Sequence, residues 1–152
     1  MEHLETDRQV AKYLLDIKAV ELSPESPFTW ASGWKSPIYT DNRKTLSYPE
    51  VRTFLKKKFA EMIKTKYPDT ELIAGVATGA IAVGALVADE LDLPMVYVRS
   101  SSKTHGLENQ VEGICHKGQK TIQTNLPVFH GHGNMPECHT FGQIQIGRYH
   151  SA

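Results

Sequence analysis

Three potential cations stand close together in "VRSSSKTHG", residues 98–106: Arg99, Lys103 and His105. An arginine offers a planar fork of donors, a lysine a movable point charge, and a histidine a hydrogen bond that strengthens on protonation. Set among serines and followed by Gly106, they form a loop suited to holding an anion. A merely solubilising surface loop would draw on the same residue types, so the surrounding elements must decide between the two. A second constellation lies near the C-terminus: His130, His132, Cys138 and His139 are all metal-competent, and tetrahedral zinc could use such donors. Their H-x-H-x5-C-H spacing is not an established ligand pattern, and no metal ligand is assigned to them.

Any anion site has to be local. Seventeen basic and seventeen acidic side chains cancel over 152 residues, so no global field favours nucleic acid or an anionic membrane surface. No segment approaches the roughly 18 consecutive apolar residues of a membrane span. The opening "MEHLETDRQV" is polar and carries acids, unlike a signal or transit peptide. Two cysteines, Cys115 and Cys138, without CxxC spacing make no disulfide framework. Together these features predict a cytoplasmic protein.

The elements that must position the loop are legible in the middle of the chain. "ELIAGVATG" (71–79) is an apolar strand ending in small residues, "AIAVGALVADELD" (80–92) a small-residue helix, and "MVYVR" (95–99) a second apolar strand after Pro94. Strand, helix and strand within about thirty residues is a βαβ unit, and strands apolar on both faces suit a covered parallel sheet. Ligands of such sheets gather beyond the carboxyl ends of the strands. The unit therefore brings "ATGA" and "RSSSKTHG" together at one edge. Upstream, Thr6 with Gln9 and Ser47 with Glu50 have capping-box spacing, which predicts helix starts there. Val10, Leu14 and Ile17 line one face of the first helix, and Val51, Phe54, Leu55, Met62 and Ile63 stripe the second. Lys56, Lys57 and Lys58 of that second helix read as a solvated polar face rather than a phosphate patch. Phe28 and Trp30 alternate as on a half-buried strand.

"FTWASGWKSPIYTDNR" (28–43) followed by "AGVATGAIAVGALVADELDLPMVYVRSSSKTHGLENQVEG" (74–113) resembles the orotate phosphoribosyltransferase family of bacteria, from about residue 5 to about residue 120. The combination of SG-x-KSP-x-Y with R-x3-K-x-H-G is far more specific than either piece. The resemblance implies an α/β fold of type I phosphoribosyltransferase kind: a parallel sheet flanked by helices, with an N-terminal hood, spanning residues 1–120, and an atypical tail over 121–152. It implies transfer of phosphoribosyl from phosphoribosyl pyrophosphate to orotate, giving orotidine 5′-monophosphate and pyrophosphate in pyrimidine nucleotide synthesis. Magnesium would accompany the pyrophosphate of the donor. Arg99, Lys103 and His105 would bind that pyrophosphate, with Lys103 and His105 catalytic; in the family this loop reaches the neighbouring subunit's site, so a homodimer is expected. Lys35 would reach the orotate and pyrophosphate region from the hood, and the Tyr39 segment would turn backbone amides toward orotate. Trp34 is expected in the core of the hood.

The chain departs from the family in two places. Serines stand at 100–102 where many relatives carry a further lysine. After "KGQK" the family continues with an apolar strand, two adjacent acids and a Thr/Gly-rich phosphate loop, whereas here "TIQTNLPVFHGHG" follows. The donor-binding strand is therefore expected to be missing, leaving the strand at 72–78 with a poorly paired edge. The tail reads as the product of truncation or a reading-frame slip. A catalytically silent fragment that folds, or pairs with a full-length subunit, without turning over substrate is the first rival reading, and a phosphoribosyltransferase acting on a purine base the second.

Overall fold

The computed structural model describes residues 2–30, 33–99 and 110–125, and the backbone of residues 143–148. Lys103 and His105 lie outside the described residues, as do His130, His132, Cys138 and His139. The described chain divides into two units, residues 2–55 and residues 56–125 with 143–148.

In the first unit, helix α1 (Glu2–Asp16) starts one turn before Thr6, so Thr6 and Gln9 sit inside the helix and the expected capping box is not its start. Its buried face is as read: Leu14 is buried, and Val10 and Ile17 are half-buried. Strands β1 (Val20–Leu22), β2 (Phe28–Thr29), β3 (Lys35–Ser36) and β4 (Ile38–Thr40) then form two antiparallel ribbons, β1 with β4 and β2 with β3. A 3-10 helix, Asn42–Ser47, follows; Asp41 caps it by accepting from the Arg43 amide at 3.2 Å. Arg43 Nε donates to the same carboxylate oxygen at 2.7 Å, and this guanidinium holds the Asp41 carboxyl below its ordinary pKa. Helix α2 (Pro49–Lys66) opens on a proline, which suits the first helical position because its missing N–H would be an orphan there. Tyr48, not Ser47, precedes it, and the Tyr48 carbonyl receives the Arg52 N–H at 2.9 Å. The second capping box is thus also displaced. Glu50 instead accepts from the Tyr13 hydroxyl at 2.8 Å, while the Tyr13 ring meets Phe54 edge-on at 5.3 Å.

The second unit is the βαβ frame. Strand β5 (Leu72–Val76), helix α3 (Ile81–Leu91) and strand β6 (Met95–Val98) follow the sequence reading closely. Strands β7 (Val111–Glu112), β8 (Lys120–Asn125) and β9 (Gln143–Arg148) complete a five-stranded sheet in the order β7-β6-β5-β8-β9. The three central strands are parallel and both edges antiparallel. The expectation of a missing strand beside β5 is therefore wrong. Residues 120–125 occupy that place in parallel register, Leu72 opposite Thr121 and Gly75 opposite Thr124. The physical reason is that ladder hydrogen bonds come from the backbone, so a strand with polar side chains can still complete the sheet where Ile122 supplies a buried contact.

Alternation sorts the sheet residues between two cores. Ile73 and Ile122 pack with Ile63 of α2 and Val87 and Ala88 of α3, with Met95 against them. Leu72, Ala74 and Val96 form the opposite cluster with Val98, Val111 and Cys115. Lys56 of α2 reaches Glu90 at 3.0 Å and Asp89 at 3.7 Å on α3, and Lys58 pairs with Glu61 at 2.9 Å. The lysine run is thus neither a phosphate patch nor merely solvated, since part of it ties one helix to the next.

Helix α3 lies close on the sheet because two glycines face one another. A Cβ on Gly75 would stand 2.9 Å from the Ala80 carbonyl oxygen and 3.1 Å from Ile81 Cα; one on Gly84 would stand 3.3 Å from Gly75 Cα. Backbone atoms cannot swing aside. Gly75→Ala is therefore expected to lower unfolding free energy by about 1–3 kcal/mol, the usual cost of overpacking a filled core, read by urea denaturation. A neutral effect would mean that α3 sits farther from β5 than described.

The start of β8 is held by charge as well as by the ladder. Lys120 Nζ lies 2.6 Å from Asp69 Oδ2, the Lys120 amide donates to Glu71 Oε2 at 2.7 Å, and the Glu71 amide donates to the Lys120 carbonyl at 2.8 Å. Hydrogen bonding to Lys120 pulls the Asp69 carboxyl below its ordinary pKa. A depressed folded pKa contributes stability above the unfolded value of about 3.9, and that contribution is lost as pH falls through the folded value. Asp69→Asn should accordingly melt below the parent at pH 7, with the gap closing as pH falls below the unfolded value and through the depressed folded one. A pH-independent gap in calorimetry would assign the loss to packing instead.

Candidate active site

The carboxyl end of the parallel sheet is the first place where the sequence-predicted residues can be followed. After β5 the chain turns through residues 77–80 into α3. The Ala77 amide donates to the Val98 carbonyl at 2.8 Å, and the Ala80 amide to the Val76 carbonyl at 3.0 Å. This ties the small-residue turn to the end of β6, next to Arg99. The Ala77–Thr78 peptide is cis. The edge expected from "ATGA" and "R" is thus formed by β5, its turn and β6.

Arg99 does not begin an open-ended loop. Its amide donates to the Gln110 carbonyl at 2.8 Å, and β6 and β7 pair with Tyr97 opposite Glu112 and Val98 opposite Val111. Both ends of the 99–110 segment are therefore held by one hairpin. Arg99 follows Tyr97 by two residues and shares its face of the sheet, so its side chain can reach diagonally to Glu112. Arg99 Nη1 and Glu112 Oε1 are 3.6 Å apart. Strand β7 and Glu112 were missed in the sequence reading, because a two-residue strand carries almost no periodic signal. Gly113 is required there: its φ is +115°, and a Cβ would come within 2.9 Å of Val96 Cγ1.

Strand β8 ends beside Val76 with Gln123, Thr124 and Asn125. Thr124 is buried and its hydroxyl donates to the Ala74 carbonyl at 3.3 Å. Amides and a hydroxyl therefore stand at this strand end, with no carboxylate among the described residues of β8. Among the described residues no group of three or more His, Cys, Asp or Glu could hold a metal.

The hood residues belong to the first unit. Lys35 is exposed on β3, opposite Thr29 of β2. Tyr39 on β4 packs its ring against Phe28, with centroids 5.5 Å apart, and remains 39% exposed. Trp34 is not core: it is 70% exposed, because it sits at the tip of the β2–β3 ribbon rather than on its covered side. The shared turn holds it there through backbone bonds, the Trp30 amide donating to the Trp34 carbonyl at 2.9 Å. Trp34→Ser should consequently shift unfolding free energy by no more than about 0.5 kcal/mol, as for other exposed positions. A loss of about 3–5 kcal/mol in denaturant titration, the range for a buried Trp→Ala, would return Trp34 to the core.

No protein-family model matches the chain. The orotate phosphoribosyltransferase of Porphyromonas gingivalis is 60% identical over 113 residues, which is 74% of this chain and 54% of that protein. That of Lactococcus lactis subsp. cremoris is 60% identical over 115 residues, 76% of this chain and 55% of that protein. The crystal structure of orotate phosphoribosyltransferase from Aeropyrum pernix superposes with a TM-score of 0.60 at 33% identity, covering 72% of this chain and 60% of that one. The chain spans about half the length of the curated relatives it matches. Over about three quarters of its residues the chain is similar to the orotate phosphoribosyltransferases, and its fold is of the type I phosphoribosyltransferase kind.

Proposed function

We propose that the chain carries the phosphoribosyl-pyrophosphate and orotate sites of an orotate phosphoribosyltransferase and transfers phosphoribosyl to orotate in pyrimidine nucleotide synthesis. The observation that carries this reading is the placement of Arg99 at the carboxyl end of β6, tied through Val98 to the turn after β5, within a span 60% identical to such enzymes. In the reaction the bond from the ribose C1 to pyrophosphate breaks and a bond to an orotate ring nitrogen forms. Positive charge grows on the ribose and negative charge on the departing pyrophosphate. Arg99 answers that negative charge with a fixed fork of donors, and a preorganised cation costs no rearrangement as the charge develops. Lys103 and His105 are proposed to add mobile cations to the same anion. Lys35 is proposed to contact the substrates, and the Tyr39 segment to supply backbone amides to orotate.

Magnesium enters this scheme as the counter-ion of the donor's pyrophosphate. The ion is proposed to arrive with the substrate, since pyrophosphate oxygens are better ligands for it than the amides and hydroxyl at the end of β8. The working form is proposed to be a cytoplasmic homodimer in which the loop after Arg99 serves the partner's site. Among the described residues no helix is long and apolar enough to cross a membrane.

A second reading is favoured by the same strand end. With Gln123 and Asn125 rather than acids beside β5, the chain can fold and bind while failing to turn over, acting as a silent partner of a full-length subunit. Orotate-dependent release of pyrophosphate from the sugar donor separates the two. The transferase reading expects release that needs both substrates and falls at least about a hundredfold in Arg99→Ala, the scale of removing one charge-stabilising donor. The silent reading expects pyrophosphate binding by calorimetry with turnover at least about a thousandfold below a full-length relative. Absence of both binding and turnover would overturn both.

A further inference from the structure

We propose that Glu112 is a positioning residue whose carboxylate holds the Arg99 guanidinium at the sheet edge, oriented to take the pyrophosphate of the sugar donor. The inference rests on the proposed role of Arg99.

Its grounds are geometric. Glu112 projects from a hairpin with little freedom: Tyr97 pairs with it directly, Val111 packs on the opposite face with Val98 and Val96, and Gly113 leaves the strand by a turn that only glycine fits. Its side chain is 25% exposed, so the carboxylate cannot swing freely into solvent. Arg99 comes from the facing strand, its backbone held by the bond to Gln110. At 3.6 Å the two charges attract without the short fork-to-fork hydrogen bonds that would use up the guanidinium. The Arg99 side chain is 35% exposed and makes no hydrogen bond among the described residues, which leaves its donors for a ligand. An arginine free to rotate would lose much of its binding gain to side-chain entropy; one already held loses less.

Charge alone predicts the opposite sign. Glu112 carries the same charge as pyrophosphate, so if it acted only through its field, removing that charge would tighten binding. Calorimetry with inorganic pyrophosphate and magnesium therefore discriminates by direction. We expect Glu112→Gln to weaken binding at least about fivefold, Glu112→Asp to recover part of that loss, and Glu112→Gln to cause no further loss in an Arg99→Ala background. Equal or tighter binding by Glu112→Gln, with Arg99→Ala still impaired, overturns the positioning role and leaves the proposed function standing. Unimpaired binding by Arg99→Ala overturns the proposed role of Arg99 itself. A second measurement does not depend on any Glu112 variant folding. In nitrogen-15 arginine spectra of the ligand-free chain, the Arg99 Nε–Hε signal should be markedly more ordered than that of Arg8, an exposed helix residue. An Arg99 signal as mobile as that of Arg8 overturns the inference.

Discussion

The close approach of α3 to β5 through Gly75 and Gly84 is the constraint from which the rest of the sheet edge follows. It lets Val87 and Ala88 reach Ile73 and Ile122 and leaves β5 in the centre, with a parallel neighbour on each side. A central strand so enclosed ends at a fixed point. The turn at 77–80 then begins from a rigid base, and its link to Val98 passes that rigidity to the strand that ends before Arg99. An anion site needs such a base because fixed donors help only when they do not have to be reorganised.

The βαβ frame was legible because every local signal agreed: two apolar runs, a small-residue helix and a proline before the second strand. The helix starts were not, since capping-box spacing identifies residues able to cap without saying which ones the chain uses. Thr6 was overrun by a helix that propagates a turn further, and at α2 the proline fixed the start two residues after Ser47. Trp34 was misjudged for a related reason. An aromatic side chain suggests burial, but the short β2–β3 ribbon places that position at its tip, and neither composition nor periodicity reports ribbon length.

Of the residues proposed to bind the anion, Arg99 could be placed from sequence because it follows an apolar strand directly. Its partner could not, because Glu112 lies thirteen residues on and meets Arg99 only through antiparallel return of the chain. Short two-residue strands such as β7 carry almost no periodic signal. The contact is a product of topology.

Strand β8 separates two things that a family resemblance tends to merge. Its place beside β5 depends on backbone hydrogen bonds, one buried isoleucine and a charged tether at Lys120, all of which this chain retains. What a strand end can do for a substrate depends on its last side chains, and here those are Gln123, Thr124 and Asn125. Backbone complementarity tolerates such replacements at little cost, whereas a carboxylate's charge has no neutral substitute. The strand beside β5 can therefore be in place whatever side chains its end presents, and the presence of the fold at β8 is no measure of the activity there.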